Sequence, residues 1–413
     1  MGVWPRVLLA VVCGVAVASI YVAQPVLEPM GRELGVPAEL TGWFVAVGQI
    51  GYLAGLVLLV PLGDMLDRRR LIAVHLALTA AGLVLTASAP TARVAFAGLA
   101  VVGVFAVVVQ TTVAYAASVS AAGERGRNIG VVTSGVVVGI LGGRILAGWF
   151  TGMWGWRSIY IALAVLAAGL AVLVLAVLRG DERAERPAGY RHVVASLGGL
   201  FRDRLFLTRG LIAFFLFASF GTLWSGLSLP LTDPPWQLSE TQIGLFGIAG
   251  LAGAFGAAHA GRWADAGRAG PVTGIALALL VASWAAVAQL SWSLWILVAG
   301  IVVLDFAVQA AHVSNQHLLA VTHPDRTSSV IGGYMVFYSL GSALGAAATT
   351  VVFATSGWAA SSLLGAAFAG CALAVWAIDR RPHTDGDVPT SRHGRGRPAD
   401  GATGRTGHRH VLD

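Results

Sequence analysis

Charged residues are scarce in this chain, and lysine is absent. Charged side chains make up 11% of the 413 residues, whereas a soluble domain carries about 25%. Hydrophobic residues make up 56%, and the mean hydropathy is +0.76. So few charges cannot cover the surface of a soluble protein of this length. A soluble globular protein is therefore excluded, and much of the surface must face lipid.

Cysteines are few, and known catalytic signatures are absent from the sequence. Cys13 and Cys371 are the only cysteines, and both lie in apolar runs, which excludes a disulfide framework and a cysteine-based zinc site. No HExxH, GxSxG or Walker pattern occurs. We therefore expect no enzymatic activity, no metal, no cofactor and no direct use of ATP. The arginines lie in short loops between apolar runs, which argues against nucleic-acid binding.

Apolar runs of about 20 residues recur along the chain, and each can cross the hydrocarbon core as a helix. The sequence predicts an all-α polytopic membrane protein with twelve transmembrane helices. We place the spans at 7–29, 41–63, 71–89, 93–118, 129–151, 157–178, 206–229, 241–261, 271–289, 292–318, 329–353 and 358–378.

The arginines predict the orientation of these spans. If both termini are cytoplasmic, all but four of the 27 basic residues lie on the inner side, as the positive-inside rule requires. The exclusive use of arginine indicates GC-rich bacterial coding. We predict a monomeric multi-pass protein of the bacterial inner membrane. The four exceptions are Arg32, Arg93, Arg144 and Arg157.

The two halves of the sequence repeat. Asp64 and Asp265 close the second and eighth spans, and Trp156 and Trp358 follow the fifth and eleventh, each pair about 200 residues apart. A six-plus-six duplication of this kind is the architecture of many secondary transporters. We predict an N-terminal half, a cytoplasmic linker, a C-terminal half and a disordered cytoplasmic tail at 1–178, 179–205, 206–379 and 380–413.

The loop after the second span, VPLGDMLDRRR, resembles the cytoplasmic signature of the major facilitator superfamily. Asp64 takes its acidic position, and Arg68 and Arg69 take its basic pair. A shortened second copy, GRWADAGR, carries Asp265 and Arg268. In the family this loop holds the two halves together on the inner side, so the resemblance implies a cytoplasmic gate. A generic charged inner loop is the alternative.

The fifth span contains SGVVVGILGGR, which resembles the antiporter signature of the drug/proton exporters of that superfamily. Ile140 stands where proline is usual. Glycines four residues apart let two helix backbones approach closely, so plain helix packing is the alternative. The likeness to the drug/proton antiporter group covers residues 5–380. The matching glycines are Gly135, Gly139, Gly142 and Gly143.

The tenth span carries four polar residues along one helical face, at i, i+4, i+7 and i+11. A carboxyl group at mid-span costs about 2.5–3.5 kcal/mol on insertion scales and is a functional candidate by default. We predict that it carries a coupled proton and that the histidine is a second titrating site. A structural polar seam is the alternative. The four are Asp305, Gln309, His312 and Gln316.

The family resemblance implies that the first, fourth, seventh and tenth helices line a central cavity. Polar or aromatic residues on these helices are therefore candidates to contact a small-molecule substrate. For the aromatic ones, ordinary packing is the alternative. Many relatives in this group also carry a proton-transfer arginine in the fourth helix, where this chain has Leu99. Besides the tenth-span residues, the candidates are Gln24, Gln110, Tyr115, Phe217, Phe220 and Trp224.

Two further charges lie near or inside spans. Glu28 is near the outer end of the first span, where an interfacial carboxylate and a proton-coupling one are both open. Arg144 ends the glycine run, and a cation in lipid needs a partner or a polar cavity. Its partner could be Glu28, an anionic substrate group or another structural counter-ion.

These features favour proton-coupled efflux of small lipophilic or weakly cationic molecules by alternating access. A sugar or metabolite exporter or facilitator is the second hypothesis. A membrane-embedded enzyme or sensor is the third, and the missing catalytic motifs and the duplication argue against it.

Overall fold

Helices dominate the computed structural model, which describes residues 2–120, 124–180, 199–250, 268–323 and 327–380. Short 3-10 turns at Gln24–Val26, Ala38–Leu40, Val60–Asp64 and Ala288–Ser291 join some of them. The helices are α1 Val3–Tyr21, α2 Leu27–Leu34, α3 Trp43–Leu58, α4 Arg68–Ala87, α5 Ala92–Phe105, α6 Val108–Ser118, α7 Arg125–Trp154, α8 Arg157–Val177, α9 Arg204–Gly226, α10 Ser228–Thr232, α11 240–250, α12 Ala269–Val287, α13 Leu294–Thr322 and α14 Thr327–Asp379.

Within the described ranges, ten helical segments are long and apolar enough to cross a membrane. The all-helical fold predicted from the sequence is confirmed. Helix α11 begins the predicted eighth span, whose remainder lies outside the described residues. The count of twelve spans and the twofold repeat stay predictions.

A Gly-Trp turn occurs at equivalent places in the two halves. Gly155 ends α7 with φ +79°, and Gly357 interrupts α14 with φ +73°. Only glycine adopts this backbone conformation without strain. The break at Gly357 divides α14 where the sequence predicts the end of the eleventh span and the start of the twelfth. The matching turns favour the predicted duplication.

Local sequence explains where several helices begin. Asp67 is the N-cap of α4 and accepts a hydrogen bond from the Arg69 amide at 3.0 Å. Asp203 caps α9 through the Phe206 amide at 3.0 Å and also contacts His323 at 2.7 Å. The Phe206 amide and His323 hold the pKa of Asp203 below its ordinary value. These caps fix the inner ends of both helices.

The glycine run of α7 packs against α1. A Cβ on Gly139 would overlap the backbone of Gly14, and one on Gly135 would overlap that of Ala10. Gly143 lies beside Ala18. These three positions agree with close helix packing. Gly142 does not, because a Cβ there would meet nothing within 4 Å.

The N-terminal and C-terminal halves touch near the predicted outer side. Thr350 donates a hydrogen bond to the Glu39 carbonyl at 2.9 Å. Thr241 donates to the Gly148 carbonyl at 3.2 Å. Gly42 lies so close to the Ala346 carbonyl that a Cβ would overlap it. The backbones of the two halves therefore approach one another directly at this end.

The predicted inner gate is described only in part. Asp265 and the side chain of Asp64 lie outside the described residues. Arg68 donates from Nε to the Gly63 carbonyl at 3.0 Å, and Arg69 donates to the Leu175 carbonyl. Arg268 is exposed. The role of these residues as a gate stays a prediction.

Candidate substrate and proton site

A buried arginine lies where α7 faces the break between α1 and α2. Pro25 has no amide hydrogen, and a 3-10 turn replaces the regular helix at Gln24–Val26. Gln24 on this turn accepts a hydrogen bond from Arg144 Nε at 2.9 Å. Arg144 is only 1% exposed. The break in the first span thus supplies a polar partner to a cation that lipid would reject.

Trp224 connects this arginine to the buried carboxylate of α13. The Arg144 guanidinium carbon lies 3.7 Å from the centroid of the Trp224 ring, a cation–π contact that contributes about 2 kcal/mol when desolvated. The indole Nε1 donates to Asp305 Oδ1 at 3.4 Å. Asp305 is 2% exposed. One aromatic side chain therefore contacts both buried charges, through its face and through its edge.

The two charges come from different halves of the chain and do not form a direct ion pair. Within the described ranges, Arg144 Nη1 and Nη2 and Asp305 Oδ2 have no hydrogen-bond partner. Burying a charge without full compensation costs several kcal/mol. Buried charges with incomplete compensation are typical of functional sites.

Tyrosines surround the arginine. The Tyr21 and Tyr338 hydroxyls are hydrogen-bonded to each other across the two halves, and the Arg144 guanidinium carbon is 5.5 Å from the Tyr21 ring. Gln110 donates to the Tyr52 hydroxyl at 2.7 Å. Sequence reasoning missed Tyr52 and Tyr338. The available signal was that a tyrosine buried in an apolar span needs a polar partner for its hydroxyl.

A narrow cavity of about 10 Å³, room for about one water molecule in this conformation, lies beside the arginine. Arg144 Nη1 and Nη2 and the Ser228 hydroxyl are buried and have no partner among the described residues. Ser228 was also missed by the sequence. The lining consists of Gln24, Pro25, Arg144, Trp224, Leu227, Ser228 and Ile243.

Other predicted cavity residues lie further along α13 and α9. His312 Nδ1 is 3.0 Å from the Tyr334 hydroxyl, and the imidazole packs edge-on against Phe217 with ring centroids 5.1 Å apart. Gln316 contacts the Met335 sulfur at 3.8 Å. Gln309 is half-buried. Phe220 lies under the Arg144 guanidinium, 5.4 Å from its carbon.

Two predicted residues belong elsewhere. Glu28 forms an ion pair with Arg32 one turn along α2, so the suggested pairing of Glu28 with Arg144 is wrong. The 3-10 turn rotates α2 relative to α1 and directs Gln24, not Glu28, to the arginine. Tyr115 donates to the Arg179 carbonyl at 2.9 Å, where the sixth span ends. It therefore ties two helix ends together instead of lining the cavity.

This geometry predicts that removing the Glu28 charge is nearly harmless. In Glu28→Gln, transport should stay within about twofold of wild type, since exposed ion pairs contribute about 0–1 kcal/mol. A double-mutant cycle with Arg144→Gln should be additive. A coupling free energy between Glu28 and Arg144 above about 1 kcal/mol would show that Glu28 belongs to the site around Arg144.

Comparison with known proteins gives consistent likenesses. A protein-family model described as Major Facilitator Superfamily matches residues 9–233 and 210–410. The chain is 38% identical over 373 residues to the uncharacterized transporter YgaY of Escherichia coli O157:H7, which covers 90% of this chain and 94% of that protein. Its counterpart in Escherichia coli strain K12 is 39% identical over the same lengths.

Solved structures share the fold at low sequence identity. A bacterial homolog of the human lysosomal transporter Spinster, in an inward-facing and occupied conformation, superposes with a TM-score of 0.74 at 15% identity, over 91% of this chain and 96% of that one. A variant of the nucleoside transporter NupG gives a TM-score of 0.72 at 14% identity, over 91% and 98%. At these identities the likeness concerns the fold alone.

Proposed function

This chain belongs to the major facilitator superfamily, and from that premise we propose that it is a proton-coupled exporter of small, largely apolar organic molecules. The family and its transporter relatives make it a transporter and not an enzyme. The proposal adds proton coupling, outward direction, and membership of the drug/proton antiporter group. It also adds a location in the bacterial inner membrane, with both termini cytoplasmic and the protein monomeric.

One observation carries the proposal. Asp305 is a buried carboxylate at the middle of α13, it receives a hydrogen bond from Trp224, and its Oδ2 lacks a partner among the described residues. A carboxyl group in such a place binds and releases a proton when its surroundings change. Arg144, opposite, belongs to the other half of the chain. Rocking of the halves would alter the distance between the two charges, and with it the proton affinity of Asp305.

The contacts near the predicted outer side support a conformation that is closed at that side. Hydrogen bonds such as Thr350 to Glu39 close that end, and the Tyr21–Tyr338 contact lies below them. In alternating access these contacts would break when the substrate leaves to the outside. Aromatic walls from Trp224 and Phe220 would hold an apolar part of the substrate.

Flux through sealed proteoliposomes tests this function. We expect efflux of at least one small aromatic tracer to accelerate several-fold on imposing a proton gradient. The tracers should include otherwise similar molecules that carry one positive charge, no charge or one negative charge. Equal flux with and without the gradient would point to a facilitator, the second hypothesis. Protein-dependent flux of no tracer at all would contradict the transport proposal.

A further inference from the structure

The cavity beside Arg144 presents hydrogen-bond donors without acceptors. Nη1 and Nη2 of the guanidinium and the Ser228 hydroxyl are unpartnered within the described ranges, although all are buried. A buried donor that lacks an acceptor costs about 1–3 kcal/mol, and more when it is charged. The residues described as lining this cavity include no carboxylate. The cavity therefore favours an electron-rich, negatively charged group and disfavours a cation.

The guanidinium is also held in a defined orientation. Gln24 occupies Nε at 2.9 Å, and Trp224 covers one face at 3.7 Å. These contacts leave the edge that carries Nη1 and Nη2 free. Two parallel N–H groups on one edge match the two oxygens of a carboxylate.

We propose that this cavity binds the carboxylate of a small organic anion, held by Nη1 and Nη2 of Arg144 and by the Ser228 hydroxyl. The cavity must widen before the apolar or aromatic body of the anion can pack against Trp224 and Leu227, and the rocking of the two halves supplies that movement. This inference rests on the transport and the proton coupling proposed above, not on their direction, and names the substrate class of the same site. It replaces the lipophilic or cationic substrate that the sequence favoured.

An anionic substrate also changes the sense of coupling. Without substrate, the positive charge of Arg144 balances the ionised Asp305. A bound anion takes over that positive charge, and the carboxylate of Asp305 is then left buried without a counter-charge. It takes one proton from solution to become the neutral acid. Charge stays balanced in both states, so anion and proton bind together and leave together. This is symport, which an inward proton gradient drives as uptake, so for an anionic substrate it replaces the antiport and the outward direction proposed above.

The groups around Asp305 are consistent with this linkage. Arg144 from α7 is the cation that faces it, and Trp224 from α9 donates to it. His312 on the same helix lies two turns away and interacts with Tyr334. Tyr21 and Tyr338 face Arg144 and are bonded to each other. Within the described residues, Asp305 is thus the carboxylate placed to respond to an anion on Arg144.

Calorimetry on the purified full chain in detergent tests the proposal. The probes are benzoate and phenylacetate, each compared with its neutral amide, benzamide or phenylacetamide, and with the cation benzylamine. Titrations in buffers of different ionisation enthalpy count the protons taken up. We expect the carboxylates to bind at least about tenfold more tightly than the amides, with about one proton taken up per anion at neutral pH.

Variants separate binding from coupling. Arg144→Lys keeps the charge but loses the pair of parallel N–H donors, and it should weaken carboxylate binding about tenfold. The double variant Arg144→Gln/Asp305→Asn removes both buried charges, should fold, and should weaken binding about 100-fold or more. Asp305→Asn should bind the carboxylates without proton uptake. Ser228→Ala should weaken binding several-fold, whereas Ser225→Ala, on a buried serine outside the cavity lining, should not.

The results distinguish this inference from the transport proposal. Amides that bind as tightly as carboxylates, or carboxylate affinity that survives in the double variant, would overturn the anion site. If vesicles export a neutral or cationic tracer while no carboxylate binds preferentially, the anion site fails and transport stands. If carboxylates bind with proton uptake but no tracer moves, the site stands and the transport proposal fails.

Discussion

Asp305→Asn is expected to abolish transport driven by a proton gradient while leaving a folded protein. Asparagine has nearly the same shape as the acid and can still accept the hydrogen bond that Trp224 donates at 3.4 Å. It cannot bind and release a proton. Gradient-driven flux should therefore fall by at least about tenfold, because protonation of this group is proposed to link the gradient to the conformational cycle.

The matched control is His312→Gln. His312 lies on the same face of α13 but is half-buried and interacts with the Tyr334 hydroxyl at 3.0 Å. As the predicted secondary titrating site, His312 should matter less than Asp305, so His312→Gln should lower flux only a few-fold. Both variants should be assayed in vesicles, with thermal unfolding in detergent as a check on folding. Wild-type gradient-driven flux in Asp305→Asn would show that the proton is carried elsewhere.

Gly139→Ala should destabilise the protein, whereas Gly142→Ala should not. A methyl group at Gly139 would overlap the backbone of Gly14 on α1, and neither backbone can move without separating the helices. Overpacking of this kind costs about 1–3 kcal/mol. At Gly142 a methyl group meets nothing within 4 Å. Alanine there should be neutral or should stabilise α7 by up to about 1 kcal/mol, because it is the better helix former.

Unfolding of the purified chain by increasing fractions of a denaturing detergent would measure both effects. The two positions lie three residues apart in one helix, so bilayer depth and helix propensity nearly cancel in the comparison. Equal free energies of unfolding for the two variants would contradict the packing of α7 on α1. The glycine signature would then need an explanation other than close contact with α1.

Much of the architecture could be predicted from the sequence because lipid imposes a simple rule. A long apolar run must be helical in a bilayer, so composition alone indicated an all-helical membrane protein. The signature loop around Arg68 indicated the superfamily, which the family match confirms. The glycine run around Gly139 indicated the drug/proton antiporter group, which stays a prediction. Asp305 stood out because a carboxyl group in an apolar span is costly and therefore rarely accidental.

The partners of the charged residues could not be predicted. Glu28 and Gln24 are four residues apart on the first span. Glu28 was the suggested partner of Arg144, and Gln24 was a candidate cavity residue. The 3-10 turn at Pro25 sends one to the arginine and the other to Arg32. Helical periodicity holds only for an unbroken helix, so it could not predict which of the two residues would contact Arg144. Likewise, Tyr115 is a polar aromatic residue of the kind that lines cavities, but its hydroxyl joins the ends of two helices.

The sequence by itself determined that this chain is a helical membrane protein of a transporter superfamily with an acidic residue at mid-membrane. Those properties follow from local hydrophobicity and from motifs within single loops or spans. Only the tertiary structure decided that Trp224 lies between Arg144 and Asp305, and that two guanidinium nitrogens have no partner in the described part of the chain. The three residues lie on three helices from two halves of the chain. Their meeting depends on how those helices pack, which no local pattern encodes.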